Sequence, residues 1–384
     1  MPKTNKLQTI LIAPNAFKES LNAFEVSQAI AKGILQVNPH VEIIQKPIAD
    51  GGDGTLDVLV KGTRGKYKKV KVQGPMGDWV TARYGILGDG NTAVIEMAEA
   101  SGLRLVSPDN RNPLLASTYG TGELIRHALD QKVTTIIIGI GGSATVDAGL
   151  GAIMALGGRF YDSKGNLSAL GGGALKTIHS VDLSELDSRL AITKILVACD
   201  VKNPLLGPQG TVAYYAPQKG ATGDMLPVLE EGMIHLARLL RKSIGRDIGK
   251  VPGTGAAGGL SAGLMAFCGA QLKSGIEIVL DALEMDDSLK KADWVFTGEG
   301  KLDRQTAQGK APAGLALRAE KYGCPVIALT GMIGEGAEAL YKQGISSIFS
   351  IQKGPLSLPE SMSQTALLLT NTANRVMRLI DIDK

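Results

Sequence analysis

The chain has 384 residues, two to three times a common domain length, and 44% of them are hydrophobic, so it should fold as two domains or one large one around a sizeable core. Forty-one Lys and Arg against 37 Asp and Glu leave a formal charge of +4, and no basic stripe is interleaved with aromatics, which argues against nucleic acid as a partner. Gly is in excess, 49 residues or about 13% against an average near 7%, yet follows no fixed period, so a collagen-like repeat is excluded and the excess belongs to loops, turns and close backbone contacts.

The N-terminal MPKTNKLQTILIAPNAFKES has only about six apolar residues in a row before Asn15 and Lys18, too few for a signal peptide. Thr9 to Ala13 (TILIA) instead predicts a buried strand that stops at Pro14. Val26, Ala29, Ile30, Gly33, Ile34 and Val37 recur at helical spacing, Val41 to Ala49 predicts a second strand, and Leu56 to Val60 opens another helix after Asp50-Gly51-Gly52-Asp53-Gly54. This βαβα start points to a parallel sheet with right-handed crossovers.

Lys66 to Ile95 reads differently. Val70 and Val72, then Val80, Ala82 and Tyr84, alternate on either side of a turn at Gly74–Gly77, the pattern of antiparallel strands. The basic run Lys61 to Lys71 is read as a solvated surface. A helix is expected after Gly122, a strand at Thr134 to Ile140, a helix from about Asp147, a strand at Lys194 to Ala198 and a helix at Pro227 to Arg241. Val251 to Leu272 holds 22 residues without a charge, but six of them are Gly, so a buried Gly/Ala-rich helix is expected rather than a membrane span. From Asp293 the opening grammar returns: strands at Trp294 to Gly298 and Pro325 to Gly331 with a helix between, a strand at Ser346 to Ile351, and one amphipathic helix over Glu360 to Ile380. The chain therefore reads as α/β, with a discontinuous domain from residues 1–64 and 289–384 and a second α/β domain inserted over 65–288.

Cys199, Cys268 and Cys324 are odd in number and lack any CxxC spacing, which fits neither a disulfide framework nor a zinc site and suits the reducing cytoplasm. No GxxxxGK[ST], HRD or DFG occurs. PGTGAAGG (Pro252 to Gly259) contains a formal GxGxxG, but no strand precedes it, so a dinucleotide fingerprint is not expected.

Ligands of open parallel sheets bind beyond the carboxyl ends of the strands. The segments there are PNAFKES (Pro14 to Ser20), DGGDG (Asp50 to Gly54), GIGGSATVDAG (Gly139 to Gly149), CDVKNPL (Cys199 to Leu205) and TGEGKLDRQTAQGK (Thr297 to Lys310). In the third, Gly141 and Gly142 let backbone amides approach an anion, while Ser143 and Thr145 offer hydroxyls; Asp147 is read as capping the following helix. Glu299 and Asp303 follow a strand among glycines and suit a metal or a substrate. Asp200, directly after a buried strand, stands where a general base is expected, and Lys310 is read as surface charge. Phosphoryl transfer would use such parts together: Mg²⁺ on one or two carboxylates, Lys and loop amides on the phosphates, a carboxylate for the attacking hydroxyl.

At these segments the sequence resembles the glycerate kinase family, specifically its bacterial type II class. The carriers are IAPNAFKESLNAFEVSQAI (Ile12 to Ile30), PIADGGDGTLDVL (Pro47 to Leu59), STYGTGELI (Ser117 to Ile125), IGIGGSATVDAGLGA (Ile138 to Ala152), ACDVKNPLLGPQG (Ala198 to Gly210), PGTGAAGGL (Pro252 to Leu260) and TGEGKLDRQT (Thr297 to Thr306). The resemblance implies a flavodoxin-like parallel-sheet domain interrupted by the inserted domain, with the site in the cleft between them. It implies ATP-dependent phosphorylation of D-glycerate with Mg²⁺, to 2-phosphoglycerate in most of the class, within glyoxylate, glucarate or galactarate breakdown. On that basis Lys18, Ser20, Asp53 and Arg304 are expected at the substrate, with Lys18 and Arg304 on its carboxylate. Asp200 is expected as base with Asp50 next in line, Glu299 and Asp303 at Mg²⁺, and Gly141, Gly142, Ser143, Thr145, Lys202 and Gly255 at the ATP phosphates. Formation of 3-phosphoglycerate and a non-catalytic hydroxy-acid or nucleotide-binding protein stay open as alternatives, as does oligomeric state.

Overall fold

A computed structural model describes residues 9–245 and 247–381. The first eight residues, part of the segment read as leading into a strand, and residue 246 lie outside the described residues, as do the last three. In chain order the elements begin β1 (Thr9–Ile12), α1 (Ala23–Leu35), β2 (Glu42–Gln45), α2 (Thr55–Gly62), β3 (Lys66–Gln73), β4 (Trp79–Ile86) and β5 (Thr92–Glu96). Next come α3 (Ala98–Ser101), α4 (Tyr119–Asp130), β6 (Thr135–Gly139), α5 (Leu150–Ala155), β7 (Arg159–Tyr161), β8 (Ser180–Asp182) and β9 (Lys194–Ala198). Then follow α6 (Thr211–Tyr215), α7 (Met225–Ile244), α8 (Leu260–Cys268), β10 (Gln271–Lys273), α9 (Gly275–Ala282) and α10 (Met285–Leu289). The chain closes with β11 (Trp294–Leu302), α11 (Ala311–Glu320), β12 (Val326–Ile333), β13 (Ile345–Ser350), α12 (Leu358–Ser363) and α13 (Thr365–Ile380).

Two compact units result among the described residues: those up to 50, 57–62 and from 276 onward form the first, and 51–56 with 63–275 the second. This departs from the expected division in two places. The second unit ends at 275 rather than 288, because α9 and α10 pack with the first, and the glycine-rich residues 51–56 belong to the second unit although they precede residue 65.

The first unit carries a five-stranded sheet in the order β2-β1-β11-β12-β13, every neighbouring pair parallel. Numbered within the unit, that is the 2-1-3-4-5 order of doubly wound flavodoxin-like sheets, whose direction of winding reverses between β1 and β11. Its core joins Ile10 and Ile12 of β1, Val26, Ile30 and Ile34 of α1, Phe296 of β11 and Leu369 and Met377 of α13. The start of α1 is fixed by a capping box: Asn22 Oδ1 accepts from the Phe24 and Glu25 N–H groups, and Glu25 Oε2 accepts from Asn22 N at 2.8 Å.

The second unit has a six-stranded sheet, β10-β9-β6-β5-β4-β3, in which β10, β9, β6 and β5 run parallel while β4 pairs antiparallel with both β5 and β3. The antiparallel alternation foreseen over Lys66 to Ile95 thus ends at β5, whose other edge is parallel to β6. Four elements differ from the sequence reading. The second strand is shorter, ending at Gln45 before Pro47, a residue with no N–H for a ladder. α4 starts at Tyr119, so Gly120 and Gly122 lie inside it. Only Leu260–Cys268 of the uncharged 251–272 stretch is α-helical, since Gly258 and Gly259 have positive φ and break the segment. The closing helix is split at Gln364 into α12 and α13. Among the described residues no helix is long and apolar enough to cross a membrane.

Candidate active site

In the first unit the carboxyl ends of β1 and β11 lie side by side, with Asn15 N donating to Gly298 O at 2.8 Å. β11 runs four residues beyond Gly298, so Glu299 sits in the strand rather than in a loop. Its side chain is 8% exposed, and Oε1 accepts the Thr306 hydroxyl at 2.6 Å. Burial raises the Glu299 carboxyl above the usual carboxylate range; Thr306 and the charges of Lys310 and Lys18 oppose the rise, and the charge of Asp50 adds to it. Lys18 is exposed, on a turn closed by Phe17 and Leu21. Lys310, read from sequence as surface charge, is half-buried at the N-cap of α11 and electrostatically coupled to Glu299.

Two expected residues of this unit are otherwise engaged, and a third is loosely paired. Asp303 accepts from Lys301 Nζ at 2.9 Å through Oδ2 and from the Gln305 and Thr306 N–H groups through Oδ1, so it organises its own turn with both oxygens engaged. Ser20 Oγ bonds Met362 O and Thr365 Oγ1, each at 2.8 Å, which ties the turn to α12 and α13 rather than offering the hydroxyl to a ligand. Arg304 is exposed and pairs with Glu335 at 3.2 Å, a contact too solvated to hold the guanidinium firmly.

In the second unit the carboxyl ends of β5, β6, β9 and β10 form one edge, with Glu96, Gly139 and Ala198 in register on adjacent strands. Residues 51–55 lie across that edge. Gly51 adopts φ +89°, and a Cβ there would stand 2.5 Å from Ala198 Cβ, so only glycine brings the chain this close. Glu96, 5% exposed, accepts from Leu56 N at 2.8 Å. Burial pushes its carboxyl up to about 7, against the pull of the Leu56 hydrogen bond and with support from the charges of Asp53 and Glu99. Asp53 itself is exposed. Asp200 is exposed after β9, oriented by a 2.9 Å hydrogen bond from Gly275 N to its Oδ1, and Lys202, two residues on, is exposed too.

The Gly139–Gly149 segment divides in two. Gly141 and Gly142 are exposed, Gly142 at φ +70°, and their N–H groups meet no acceptor among the described residues. Ser143 and Thr145 are buried, contrary to their expected role as phosphate donors: Lys219 Nζ donates to Ser143 Oγ at 3.0 Å and to Thr145 O at 2.7 Å. Asp147, fully buried, accepts from Thr118 N and Oγ1 and from the Gly149 and Gly151 N–H groups, so it serves the start of α5 from two residues ahead of the N-cap. Gly255 is also unsuited to phosphate. Its N–H already donates to Asn203 O, and a Cβ would stand 2.2 Å from Pro204 O, so this glycine serves close backbone packing. The cysteines are free, and burial holds the Cys199 thiol up at about 11, which removes it as a nucleophile.

Glu96 and Lys219 were missed in the sequence. Glu96 had a signal: a carboxylate directly after the apolar run TAVI, as Asp200 follows KILVA. Lys219 had none, because a lysine after Pro-Gln in a polar stretch gives no sign of burial.

A family model for the Glycerate kinase family matches residues 10–381. The chain belongs to the glycerate kinase family. It is 48% identical to a glycerate kinase of Bacillus subtilis (strain 168) over 375 residues, 98% of each chain, and 47% identical to a glycerate 2-kinase of Escherichia coli (strain K12) over 342 residues, 89% of this chain and 90% of that one. A crystal structure assigned to a glycerate kinase 2 of Salmonella typhimurium LT2 superimposes with a TM-score of 0.90 at 45% identity, covering 98% of this chain and 99% of the other. Mixed α/β architecture with parallel sheets is thereby common to the family member and this chain.

Proposed function

We propose that this chain transfers the γ-phosphoryl group of ATP to D-glycerate, giving ADP and 2-phospho-D-glycerate. The observation that carries the reading is the buried carboxylate of Glu299, coupled to Lys18, Lys310 and Asp50, at the point where the winding of the β2-β1-β11-β12-β13 sheet reverses. Similarity to glycerate kinases along nearly the whole chain supports glycerate as the acceptor.

Residues of each unit have a role in this reading. From the first, Lys18 and Arg304 would bind the glycerate carboxylate. From the second, the Gly141 and Gly142 amides and Lys202 would bind the ATP phosphates, and Asp200 would accept the proton of the attacking hydroxyl. That oxygen forms the new bond to phosphorus as the bond to the β–γ bridging oxygen breaks and ADP leaves. Mg²⁺ fits Glu299, a hard oxygen donor within the field of Asp50, better than Asp303, whose two oxygens are committed. When bound, the ion would offset the negative charge of the phosphates. Binding Mg²⁺ through few carboxylates is the usual mode of phosphate-assisted sites, and no group of three or more metal-ligating side chains occurs among the described residues.

The test mixes protein, MgATP and D-glycerate and follows ADP, then couples the product to enolase without a mutase. Glycerate-dependent ADP with an enolase signal is expected. ADP without that signal means the 3-isomer; glycerate binding by calorimetry with no ADP means a binding protein and ends the proposal.

A further inference from the structure

Lys219 lies on the short turn Pro217–Lys219 after α6 and is 2% exposed. Its ammonium group has two neutral acceptors, Ser143 Oγ at 3.0 Å and Thr145 O at 2.7 Å, and no carboxylate among its hydrogen-bond partners. The charge that faces it, Asp147, is spent on Thr118, Gly149 and Gly151. A buried cation without an ion pair is destabilising, and an apolar side chain of similar length would be a cheaper occupant. Both acceptors belong to one loop, and the outward part of that loop is Gly141–Gly142.

We propose that Lys219 is a positioning residue for the nucleotide phosphates: it draws Ser143 and Thr145 inward, turns the Gly141 and Gly142 amides outward, and, when protonated, sets a positive charge beneath the anion they receive. The proposal rests on the assignment of this loop to ATP phosphates. Successive backbone N–H groups around a residue of positive φ form a concavity suited to anions, and a cation behind them strengthens it where water is excluded. A lysine kept there despite its desolvation is accounted for by ligand binding rather than by folding. Burial also brings its ammonium down to about 7, so its charge changes within the working range of pH.

Calorimetry of MgADP on the wild-type protein comes first, and no binding at all would remove the phosphate assignment itself. Given binding, Lys219→Met is expected to weaken the MgADP Kd by about tenfold or more while the D-glycerate Kd stays within about twofold. Its Tm should equal or exceed that of the wild type. A purely structural lysine would instead lower Tm and weaken both ligands alike, and an unchanged MgADP Kd would equally overturn the proposal. Should Lys219→Met fail to fold, Ser143→Ala removes one acceptor and keeps the lysine. A Kd weakened about threefold for MgADP and not for glycerate supports the clasp, and an unchanged one opposes it. A third reading is the pH profile: wild-type MgADP affinity should fall between pH 6 and 8.5 as Lys219 loses its proton, and a flat or rising profile would count against the charge.

Discussion

Glu96 is the residue at which burial acts most plainly on a titratable group. Its carboxyl, ordinarily near 4.5, is raised to about 7 chiefly by burial, so the folded protein holds this proton more tightly than the unfolded chain does. Stability from this group is therefore fully present below pH 4.5 and is lost as pH rises through 7, a swing of up to about 3 kcal/mol. Glu96→Gln keeps an oxygen for Leu56 N and removes the titration. Urea unfolding of the variant should show a flatter pH dependence between 4.5 and 7 and greater stability than the wild type at pH 8; a slope equal to the wild type's would reassign the group. Asp200 stands differently, exposed and aimed by the Gly275 N–H. Asp200→Asn should lower kcat by about 10² or more with MgADP affinity kept, the scale of a lost general base. An unchanged kcat would pass the role to Asp50. The two residues mark what sequence discloses at this scale. A carboxylate after an apolar run is visible as a pattern, but whether it is buried, as at Glu96, or open, as at Asp200, depends on the segment laid over it. Ser143 and Thr145 make the same point in reverse: their hydroxyls sit in the expected loop, and Lys219, 74 residues away from Thr145, turns them inward.

At the scale of elements, local signals were the readable ones. Asn22 followed by Glu25 starts α1 where the helical spacing begins, and β1, β9 and the antiparallel pair β3–β4 lie where their apolar runs lie. Two of the misreadings share one cause, glycine. Gly120 and Gly122 looked like a loop and are helix, whereas Gly258 and Gly259 looked like helix and are a break, because glycine takes its meaning from the neighbour it must approach or the φ it must adopt. Gly33 turns that into a prediction. In a helix interior Gly→Ala ordinarily stabilises by about 0.5–1 kcal/mol. Here a Cβ would stand 2.2 Å from Thr370 O and 2.9 Å from Ala373 Cβ on α13, and backbone has to yield. Gly33→Ala should therefore reverse the sign and destabilise by about 1–3 kcal/mol in denaturant unfolding. A stabilised variant would mean that α1 and α13 separate at little cost.

At the scale of the whole molecule, the return of the opening grammar near Asp293 made the discontinuous first unit legible, because it supplies β11, the parallel partner of β1 on the side opposite β2. What composition and period did not reveal was that residues 51–56 belong to the second unit, since that depends on Gly51 fitting against Ala198. The arrangement has a consequence for folding. In the first unit β1 pairs with β11, and Thr9 N reaches the Asp293 carboxylate 284 residues onward, so its central pairing waits for the end of the chain. The second unit is complete once residue 275 is made, and its core from Val72 to Ala270 draws on nothing later. A truncation to residues 1–275 should therefore keep a cooperative transition with a smaller denaturant slope, in proportion to the surface it still buries. Hydrogen exchange should find Val94, Ile95 and Ile136 to Ile138 protected and Ile10 to Ile12 unprotected, since β1 has then lost β11 and the helix α13 that completes its core. Loss of the cooperative transition would mean that the second unit depends on the first for its stability. The exposed apolar β1 would also make this fragment prone to association, so the experiment belongs at low protein concentration, where the slope reports the fold and not the aggregate.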